Sequence, residues 1–256
     1  MIANYHTHTW RCNHASGTER EYVEQAMAAG IRTLGFSDHT PYPFPDGYYS
    51  GFRMKPEQLA DYCDTLTALR DEYRGRVDIH IGLEAEYYPK HFADLLALCA
   101  DYPVEYLLLG QHFIANEYDG VYSGAATEDE RVLAQYCAQV LEALETGKFA
   151  YIAHPDLVHF TGSDRIYKRH MRALCAGLRE LGVPVEINLL GLADGRNYPD
   201  ARFWQIAAEE GLTAILGCDA HRPGALADPE TERSALAFAG RFGIRVIDHL
   251  EKLRSL

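Results

Sequence analysis

The sequence lacks the marks of a membrane-spanning, secreted or disordered chain. Among its 256 residues, no apolar run approaches the roughly 18 residues that a membrane helix needs. The start, Met1-Ile2-Ala3-Asn4, has no basic segment followed by an apolar core, so we expect no secretory signal. Apolar residues make up 47% and charged residues 24%, which excludes a disordered chain. We therefore expect a folded protein that contacts no membrane.

Paired cysteines and positive charge are also scarce. The six cysteines form no Cys-x-x-Cys pair, so we expect six reduced thiols and a cytoplasmic location. Lys and Arg total 24 against 37 Asp and Glu, a net charge of −13. This charge argues against long nucleic acid as a partner, but it is compatible with an enzyme that meets phosphate through metal ions. The sequence contains no indication of oligomeric state.

Short apolar runs alternate with longer helical stretches along the whole chain. The seven runs typical of buried parallel strands cover residues 2–6, 32–37, 77–84, 106–110, 149–153, 183–188 and 213–217. The seven predicted helices cover residues 18–29, 55–73, 90–99, 127–146, 167–181, 201–210 and 229–241. This order predicts a parallel sheet with right-handed crossovers.

The alternation favours one α/β domain over residues 1–256, folded as a closed or nearly closed (β/α)7 barrel of the TIM-like kind. An open doubly wound sheet is the alternative. Such a sheet usually has a glycine-rich turn after its first strand. Here that position holds Thr7-His8-Thr9-Trp10, without glycine.

Six of the seven predicted strands end in His, Asp or Glu. The carboxyl ends of parallel barrel strands share one face, where active sites are built. His14, in the first loop, is close enough to join this face. The resulting candidate ligands are His6, His8, His14, His39, Glu84, His112, His154, Asp219 and His221.

These residue types predict a metal site. On an extended segment His6 and His8 point to the same side, and Asp219-Ala220-His221 repeats that arrangement. Imidazole and carboxylate without thiolate suit Zn, Fe or Mn. One ion takes about four to six ligands, so nine candidates predict two or three divalent ions with a bridging carboxylate. Cys218 is expected to turn into the core.

The order of these motifs resembles the polymerase-and-histidinol-phosphatase (PHP) superfamily, over residues 6 to 221. The resemblance implies a distorted seven-stranded (β/α) barrel, a cluster of three metal ions at the carboxyl ends of the strands, and hydrolysis of phosphoesters. It also implies three ligand sets. They are His6, His8, Glu84 and Asp219 for the first ion, Glu84, His112 and His154 for the second, and His14, His39 and His221 for the third.

Flanking segments resemble the histidinol-phosphatase branch. They include His39-Thr40-Pro41, Gln111-His112-Phe113-Ile114, His154-Pro155-Asp156-Leu157 and Asp219-Ala220-His221-Arg222-Pro223. The resemblance implies a phosphomonoesterase of histidine biosynthesis that converts L-histidinol phosphate to L-histidinol with a metal-activated hydroxide. Two departures, Leu189-Leu190-Gly191-Leu192 and Cys218 in place of the usual Ser, keep another small phosphoester or a nucleotide as the alternative substrate.

Further residues are assigned to the chemistry by position. Besides Glu84, Asp156 and Asp38 adjoin predicted ligands, and each either protonates the leaving alkoxide or orients an imidazole. The candidates for substrate binding are Arg222, Arg53, Arg165 and Arg196 for the phosphate, and Asn188 for the histidinol moiety. The loop over residues 41–53, rich in Tyr, Phe and Pro, either covers the pocket or packs as an ordinary loop.

Two other classes fit less well. A non-catalytic metal-binding barrel is expected to have lost ligands, whereas all nine are present. An amidohydrolase barrel also begins with His-x-His but needs a metal-bridging Lys on a later strand. The nearest lysine, Lys148, precedes its predicted strand.

Overall fold

A curled parallel sheet of eight strands forms the centre of the computed structural model, which describes residues 1–251 and 253. The strands in chain order are β1 (Ala3–Asn4), β2 (Thr33–His39), β3 (Asp78–Ala85), β4 (Tyr106–Leu109), β5 (Phe113–Ile114), β6 (Val121–Tyr122), β7 (Phe149–Ile152), β8 (Val185–Asn188), β9 (Thr213–Gly217) and β10 (Arg245–Ile247). The large sheet runs β1-β2-β3-β4-β7-β8-β9-β10, and β5 and β6 form a small antiparallel pair. Because neighbours follow chain order, the arrangement differs from that of a doubly wound sheet.

Within the described residues, eight α-helices accompany the strands. They are α1 (Glu19–Ala28), α2 (Leu59–Glu72), α3 (Phe92–Cys99), α4 (Glu130–Glu145), α5 (Asp164–Leu181), α6 (Leu189–Asp194), α7 (Ala201–Glu209) and α8 (Pro229–Phe242). Their ends follow local chemistry: Thr18 and Glu21 form a capping box on α1, and Gly182 ends α5 in the left-handed conformation. No helix in the described part of the chain is both long and apolar enough to cross a bilayer.

The sheet has one strand more than the seven predicted. β10 is short and only partly buried, and it pairs with the first three residues of β9. The segment after β9 pairs instead with the segment after β1, where the amide of His8 donates to the carbonyl of Ala220 (2.9 Å). The amide of Ala220 in turn donates to the carbonyl of His6 (3.2 Å). The chain segments after β1 and β9 are thereby joined at the carboxyl ends of the strands.

Most apolar side chains are buried between the sheet and the helices, and a second cluster fills the inside of the curl. In that second cluster, the hydroxyl of Tyr106 donates to the carbonyls of Tyr5 (2.8 Å) and Phe36 (3.1 Å), across the curl. A Cβ at Gly82 would lie 2.3 Å from the Tyr106 ring, so glycine is required there. The filled interior leaves the carboxyl-end face of the sheet as the place for a site.

Candidate metal centre

The structure brings all nine predicted ligand side chains to the carboxyl ends of the strands. The ring of His8 lies 4.0 Å from that of His221 and 4.5 Å from that of His39, between centroids. His112 and His154 are 5.0 Å apart in the same terms. Residues from the segments after β1, β4, β7 and β9 therefore converge with those of β2 and β3, as the strand-end pattern predicts.

Two of these residues have an unusual backbone. His154 has a φ of 30° and Asp219 a φ of 48°, in the left-handed region that side chains other than glycine rarely adopt. His154 is the second residue after β7, and Asp219 is the second residue after β9. Such strain persists where the surrounding structure enforces it and is concentrated at functional sites.

The first donor set is nearly complete in its geometry. Nε2 of His6 and Nε2 of His8 are 3.2 Å apart. Oδ1 of Asp219 lies 3.4 Å from the first nitrogen and 3.1 Å from the second. Oε2 of Glu84 lies 3.5 Å from both. Two nitrogens and two oxygens thus surround one point, which suits a small divalent cation.

The Glu84 carboxylate also belongs to a second donor set. Its other oxygen, Oε1, lies 2.9 Å from Nε2 of His154 and 3.6 Å from Nε2 of His112. One oxygen of Glu84 faces the first set and the other oxygen faces the second. This is the arrangement of a bridging carboxylate between two ions.

A third set lies nearer the surface. Nε2 of His14 and Nε2 of His221 are 3.0 Å apart, and a ring nitrogen of His39 lies within 4.8 Å of both residues' donor atoms. Nδ1 of His39 is buried without a hydrogen-bond partner among the described residues, and it lies 3.2 Å from Oε2 of Glu84. His39 is therefore within reach of more than one set.

Buried carboxylates orient three of the imidazoles. Nδ1 of His6 faces Glu186 (2.8 Å), Nδ1 of His8 faces Asp38 (3.4 Å) and Nδ1 of His112 faces Glu86 (2.9 Å). Sequence reasoning assigned neither Glu86 nor Glu186 to the orientation of an imidazole. The available indication was spacing, since Glu86 is two residues from Glu84 and so projects on the same side of the chain.

The hydrogen-bond pattern tests whether a cation fits. A carboxylate opposite Nδ1 places the proton there, so Nε2 of His6 and of His8 present lone pairs to each other. In the third set, the Nδ1 atoms of His14 and His221 face backbone carbonyls (2.8 and 3.0 Å), so their Nε2 atoms also present lone pairs at close range. Facing acceptors repel unless a cation lies between them, and the donor chemistry therefore fits metal ions.

The electrostatics match ionised carboxylates held among buried imidazoles. Burial raises the pKa of Glu84 and Asp219, but neighbouring imidazoles outweigh it and hold both pKa values well below their usual range. Burial lowers the pKa of His221 to about 4. Burial lowers the pKa of His6 and His8, but nearby carboxylates outweigh it and hold both pKa values well above their usual range. A proton and a cation therefore compete for the same lone pairs.

An open cavity of about 570 Å³ adjoins the donor sets. Its polar floor includes Glu84, Asp219 and four of the histidines. The remaining wall combines apolar and charged side chains. It includes Phe52, Phe113, Leu157, Leu189, Leu190, Tyr198, Asp194, Arg196 and Arg222. The cavity is large enough for a small phosphorylated molecule.

Two of the four predicted phosphate-binding arginines line this cavity. Arg196 and Arg222 are exposed there, and Arg196 donates to the hydroxyl of Tyr198 (2.9 Å). Arg165 lies instead in an exposed groove along α5, so its assignment to the substrate site is wrong. Arg53 is 1% exposed, with its guanidinium bonded to Glu117, Glu86 and Thr40, so it does not reach the substrate either.

Asn188 also differs from its prediction. Its side chain is buried, donates to Glu186 (3.0 Å) and Asp219 (3.2 Å), and accepts from the amide of Gly191 at the start of α6. Asn188 thus holds two carboxylates of the site and caps a helix. It does not line the cavity as a substrate ligand, because its polar atoms are already committed.

The two predicted proton donors are buried in the structure. Asp38 accepts from the amide of His39 (2.8 Å) and from the hydroxyl of Thr9, besides facing His8. Asp156 accepts from the indole of Trp204 (3.0 Å) and from the amide of Asp200. Neither is part of the described cavity lining. Their placement contradicts direct protonation of a leaving group and, for Asp38, agrees with the alternative of orienting an imidazole.

Cysteine and the aromatic loop complete the surroundings. Cys218 is 3% exposed, as expected of a core thiol, although it also borders the cavity. Cys12, which sequence reasoning left without a role, is buried with its sulfur within 4.8 Å of donor atoms of His8 and His221. In the 41–53 loop, Phe52 lines the cavity and packs edge-on to His39 (5.4 Å), whereas Tyr42 and Phe44 pack against Tyr88.

Comparison with known proteins places this arrangement among related chains. The family model of the PHP domain matches residues 4–189. A Deinococcus radiodurans protein named "Probable histidinol-phosphatase" is 33% identical over 232 residues, covering 87% of each chain. The "Histidinol-phosphatase" of Bacillus subtilis strain 168 is 28% identical over 250 residues, covering 86% of this chain and 93% of the relative.

A solved structure has the same fold. It is that of histidinol phosphate phosphatase from Lactococcus lactis subsp. lactis, determined in complex with zinc, L-histidinol and phosphate. The two chains are 18% identical and superpose with a TM-score of 0.71, over 96% of this chain and 95% of that one.

Proposed function

The chain belongs to the PHP domain family, and from that premise we propose that it is a metal-dependent histidinol-phosphate phosphatase. It hydrolyses L-histidinol phosphate to L-histidinol and phosphate, a step of histidine biosynthesis. The observation that carries the proposal is the Glu84 carboxylate, which faces one donor set with each of its oxygens at the floor of an open cavity. We also propose that residues 1–256 act as one hydrolase domain in the cytoplasm, in keeping with six free, buried cysteines.

The nine gathered side chains are the proposed ligands of two or three divalent ions. The first ion takes His6, His8, Glu84 and Asp219, the second takes Glu84, His112 and His154, and the third takes His14, His39 and His221. Zinc is one candidate, since the Lactococcus lactis relative holds it. Iron and manganese are the others, because sets of imidazole and carboxylate accept all three metals.

The cavity wall suits the two ends of the substrate. Arg196 and Arg222 carry the positive charge that a phosphate dianion requires beside the ions. The imidazole ring of histidinol fits the apolar part of the wall, where Phe52 and Phe113 stack at 5.9 Å between centroids. Asp194, 3.2 Å from Arg196, offers a carboxylate to the substrate ammonium. The −13 charge of the chain is no obstacle, because the two arginines and the bound ions supply positive charge locally and solvent screens the distant carboxylates.

Hydrolysis of a phosphate monoester needs charge neutralisation and a nucleophile available near pH 7. Bound divalent ions supply positive charge to the phosphoryl oxygens and lower the pKa of water. The protein's own contribution is to fix the donors: Glu186, Asp38 and Glu86 hold three imidazoles in the tautomer that leaves Nε2 free. Arg196 and Arg222 then align the phosphoryl group over the floor of the cavity.

The decisive experiment measures phosphate release from L-histidinol phosphate by protein reconstituted with Zn, Fe or Mn. A panel of sugar phosphates, nucleotides and a short oligonucleotide runs in parallel. We expect turnover confined to histidinol phosphate and reduced at least about 100-fold by Glu84→Gln. Glu105→Gln, at the opposite ends of the strands, is the matched control and is expected to retain activity.

Each other outcome has a definite meaning. Activity only on another small phosphoester would favour the alternative substrate. Leu189 and Leu190, which depart from the family pattern, line the cavity where they would contact that substrate. Metal binding without turnover on any substrate would contradict the proposed function and leave the metal centre standing.

A further inference from the structure

A chain of buried charged groups leads from the second donor set into the protein. Nδ1 of His112 faces Oε1 of Glu86 at 2.9 Å. The other oxygen of Glu86, Oε2, accepts from Nη2 of Arg53 at 3.0 Å. Arg53 also donates through Nε to Glu117 (3.0 Å) and through Nη1 to the carbonyl of Thr40 (2.8 Å). The side chains of Arg53, Glu86 and Glu117 are at most 1% exposed.

These contacts matter because few other hydrogen bonds orient the two imidazoles of the second donor set. Of its two imidazoles, His154 has an Nδ1 atom that is buried without a hydrogen-bond partner in the described part of the chain. Among the described residues, Glu86 is the hydrogen-bond partner of Nδ1 of His112. If Glu86 moves, the Nε2 atom of His112 loses its fixed direction toward Oε1 of Glu84.

Glu86 is in turn fixed by Arg53. A buried carboxylate needs a partner, and the planar guanidinium supplies donors in a fixed geometry to Glu86 and Glu117 together. The two carboxylates and one guanidinium carry a net formal charge of −1. That charge lies against the imidazole of His112, where it strengthens the basicity of the opposite ring nitrogen.

Arg53 also connects this chain of contacts to the cavity wall. It terminates the 41–53 loop, next to Phe52, whose ring lies 4.4 Å from the guanidinium and packs at 6.5 Å from His112. Its bond to Thr40 fixes the loop at its other end. The same side chain thus holds both the loop and the orienting carboxylate.

We propose that Arg53 is a positioning residue for the second ion: it holds Glu86, which orients the ligand His112. The proposal rests on the metal centre of the proposed function. It replaces the direct contact between Arg53 and the substrate phosphate that the sequence predicts. Its specific consequence is that Arg53 and Glu86 act on the second ion as one unit.

A double-mutant cycle on metal affinity tests this consequence. The measured quantities are the affinity of the second ion, from competition with a chelator, and the visible spectrum of the Co(II)-substituted protein. We expect Arg53→Met and Glu86→Gln each to weaken the second ion about 10- to 100-fold and to change its Co(II) bands. The double variant is expected to bind the second ion with the same affinity as Glu86→Gln. Its loss of affinity is not expected to equal the product of the two single losses. Multiplying effects, or an unchanged second ion in folded Arg53→Met, would overturn the proposal.

Two further variants keep the test decisive. Arg53→Met leaves two buried carboxylates without their cation, so the charge-compensated pair Arg53→Met with Glu117→Gln serves if the single variant does not fold. Arg70→Met is the matched control, because Arg70 pairs with Glu105 (2.6 Å) away from the metal centre. It is expected to leave the affinity of every ion unchanged. Turnover of L-histidinol phosphate by the unaltered protein is measured separately, so that failure of the proposed substrate is not mistaken for failure of this cycle.

Discussion

A Cβ atom at Gly110 would lie 2.0 Å from Oε1 of Glu84 and 2.6 Å from its Cδ. Gly110 follows β4, and the Glu84 carboxylate occupies the space that a side chain at this position would fill. No such close approach is tolerated between real atoms, so any side chain at this position displaces Glu84 from its place between the donor sets.

Gly110→Ala is therefore expected to lower the metal content and to reduce turnover at least about 100-fold while the protein stays folded. The matched control is Gly240→Ala in α8, where an added Cβ meets nothing within 4 Å. That variant is expected to keep full activity. Metal analysis, circular dichroism and the phosphate-release assay decide the matter. Normal metal content and activity in Gly110→Ala would contradict the bridging position of Glu84.

The arginines of the cavity wall give a second prediction. Arg196→Ala and Arg222→Ala are each expected to raise KM for L-histidinol phosphate by about 10-fold or more, because each removes a charge that binds the phosphate. Arg165→Ala, in the groove along α5, is expected to leave KM unchanged. Steady-state kinetics measure all three. An effect at Arg165 equal to those at the other two would place the substrate elsewhere.

Removal of the ions is expected to destabilise the protein. Without cations the facing nitrogens of His6 and His8, 3.2 Å apart and each 3.5 Å from Glu84, repel one another. An ion present at 100 times its Kd stabilises the folded state by about 2.7 kcal/mol, which is about 5–10 °C in Tm for a chain of this length. Thermal unfolding with and without a chelator measures the loss. The Glu84→Gln variant is expected to respond much less, and an equal response would show that the chelator acts elsewhere.

Asp156 gives a prediction about pH. Burial raises its pKa from 3.8 to about 7. The folded protein then binds a proton that the unfolded chain releases, so the stabilising contribution of this group is full at low pH. It is lost as the pH rises through about 7. Between pH 5 and pH 8 the loss amounts to about 2–3 kcal/mol.

The amide of Asp156→Asn does not titrate, and it keeps an acceptor for Trp204. Relative to the unaltered protein, this variant is expected to gain stability by that amount between pH 5 and pH 8. Denaturant unfolding at both pH values measures the difference. Asp101→Asn, at an exposed turn, is the control and is expected to show a flat difference. Parallel pH profiles for the unaltered protein and Asp156→Asn would contradict the raised pKa.

The sequence predicts the strands and the ligand positions because both depend on local pattern. Buried parallel strands are continuous apolar runs, and their last residues necessarily meet on one face, which is why His6, Glu84 and Asp219 converge as expected. β10 escapes prediction because Arg245–Ile247 is short and partly exposed, and α6 because it has only six residues. Neither produces a periodic pattern long enough to recognise.

The directions of long polar side chains could not be predicted in the same way. Arg53 and Arg196 are both loop arginines near the predicted site, yet one is buried among carboxylates and the other faces the cavity. The difference depends on Glu86 and Glu117, which come from distant parts of the chain. Asn188 is similar, because its commitment to Asp219 exists only once β8 and β9 are paired.

The joining of the segments after β1 and β9 has a consequence for the order of events during synthesis. His14 and His221 are 207 residues apart in the chain. At about 5–20 residues per second, a ribosome makes the second about 10–40 s after the first. The first and third donor sets therefore stay incomplete until almost the whole protein has been made, and a chain that is released before β9 contains only the ligands of the second set in full.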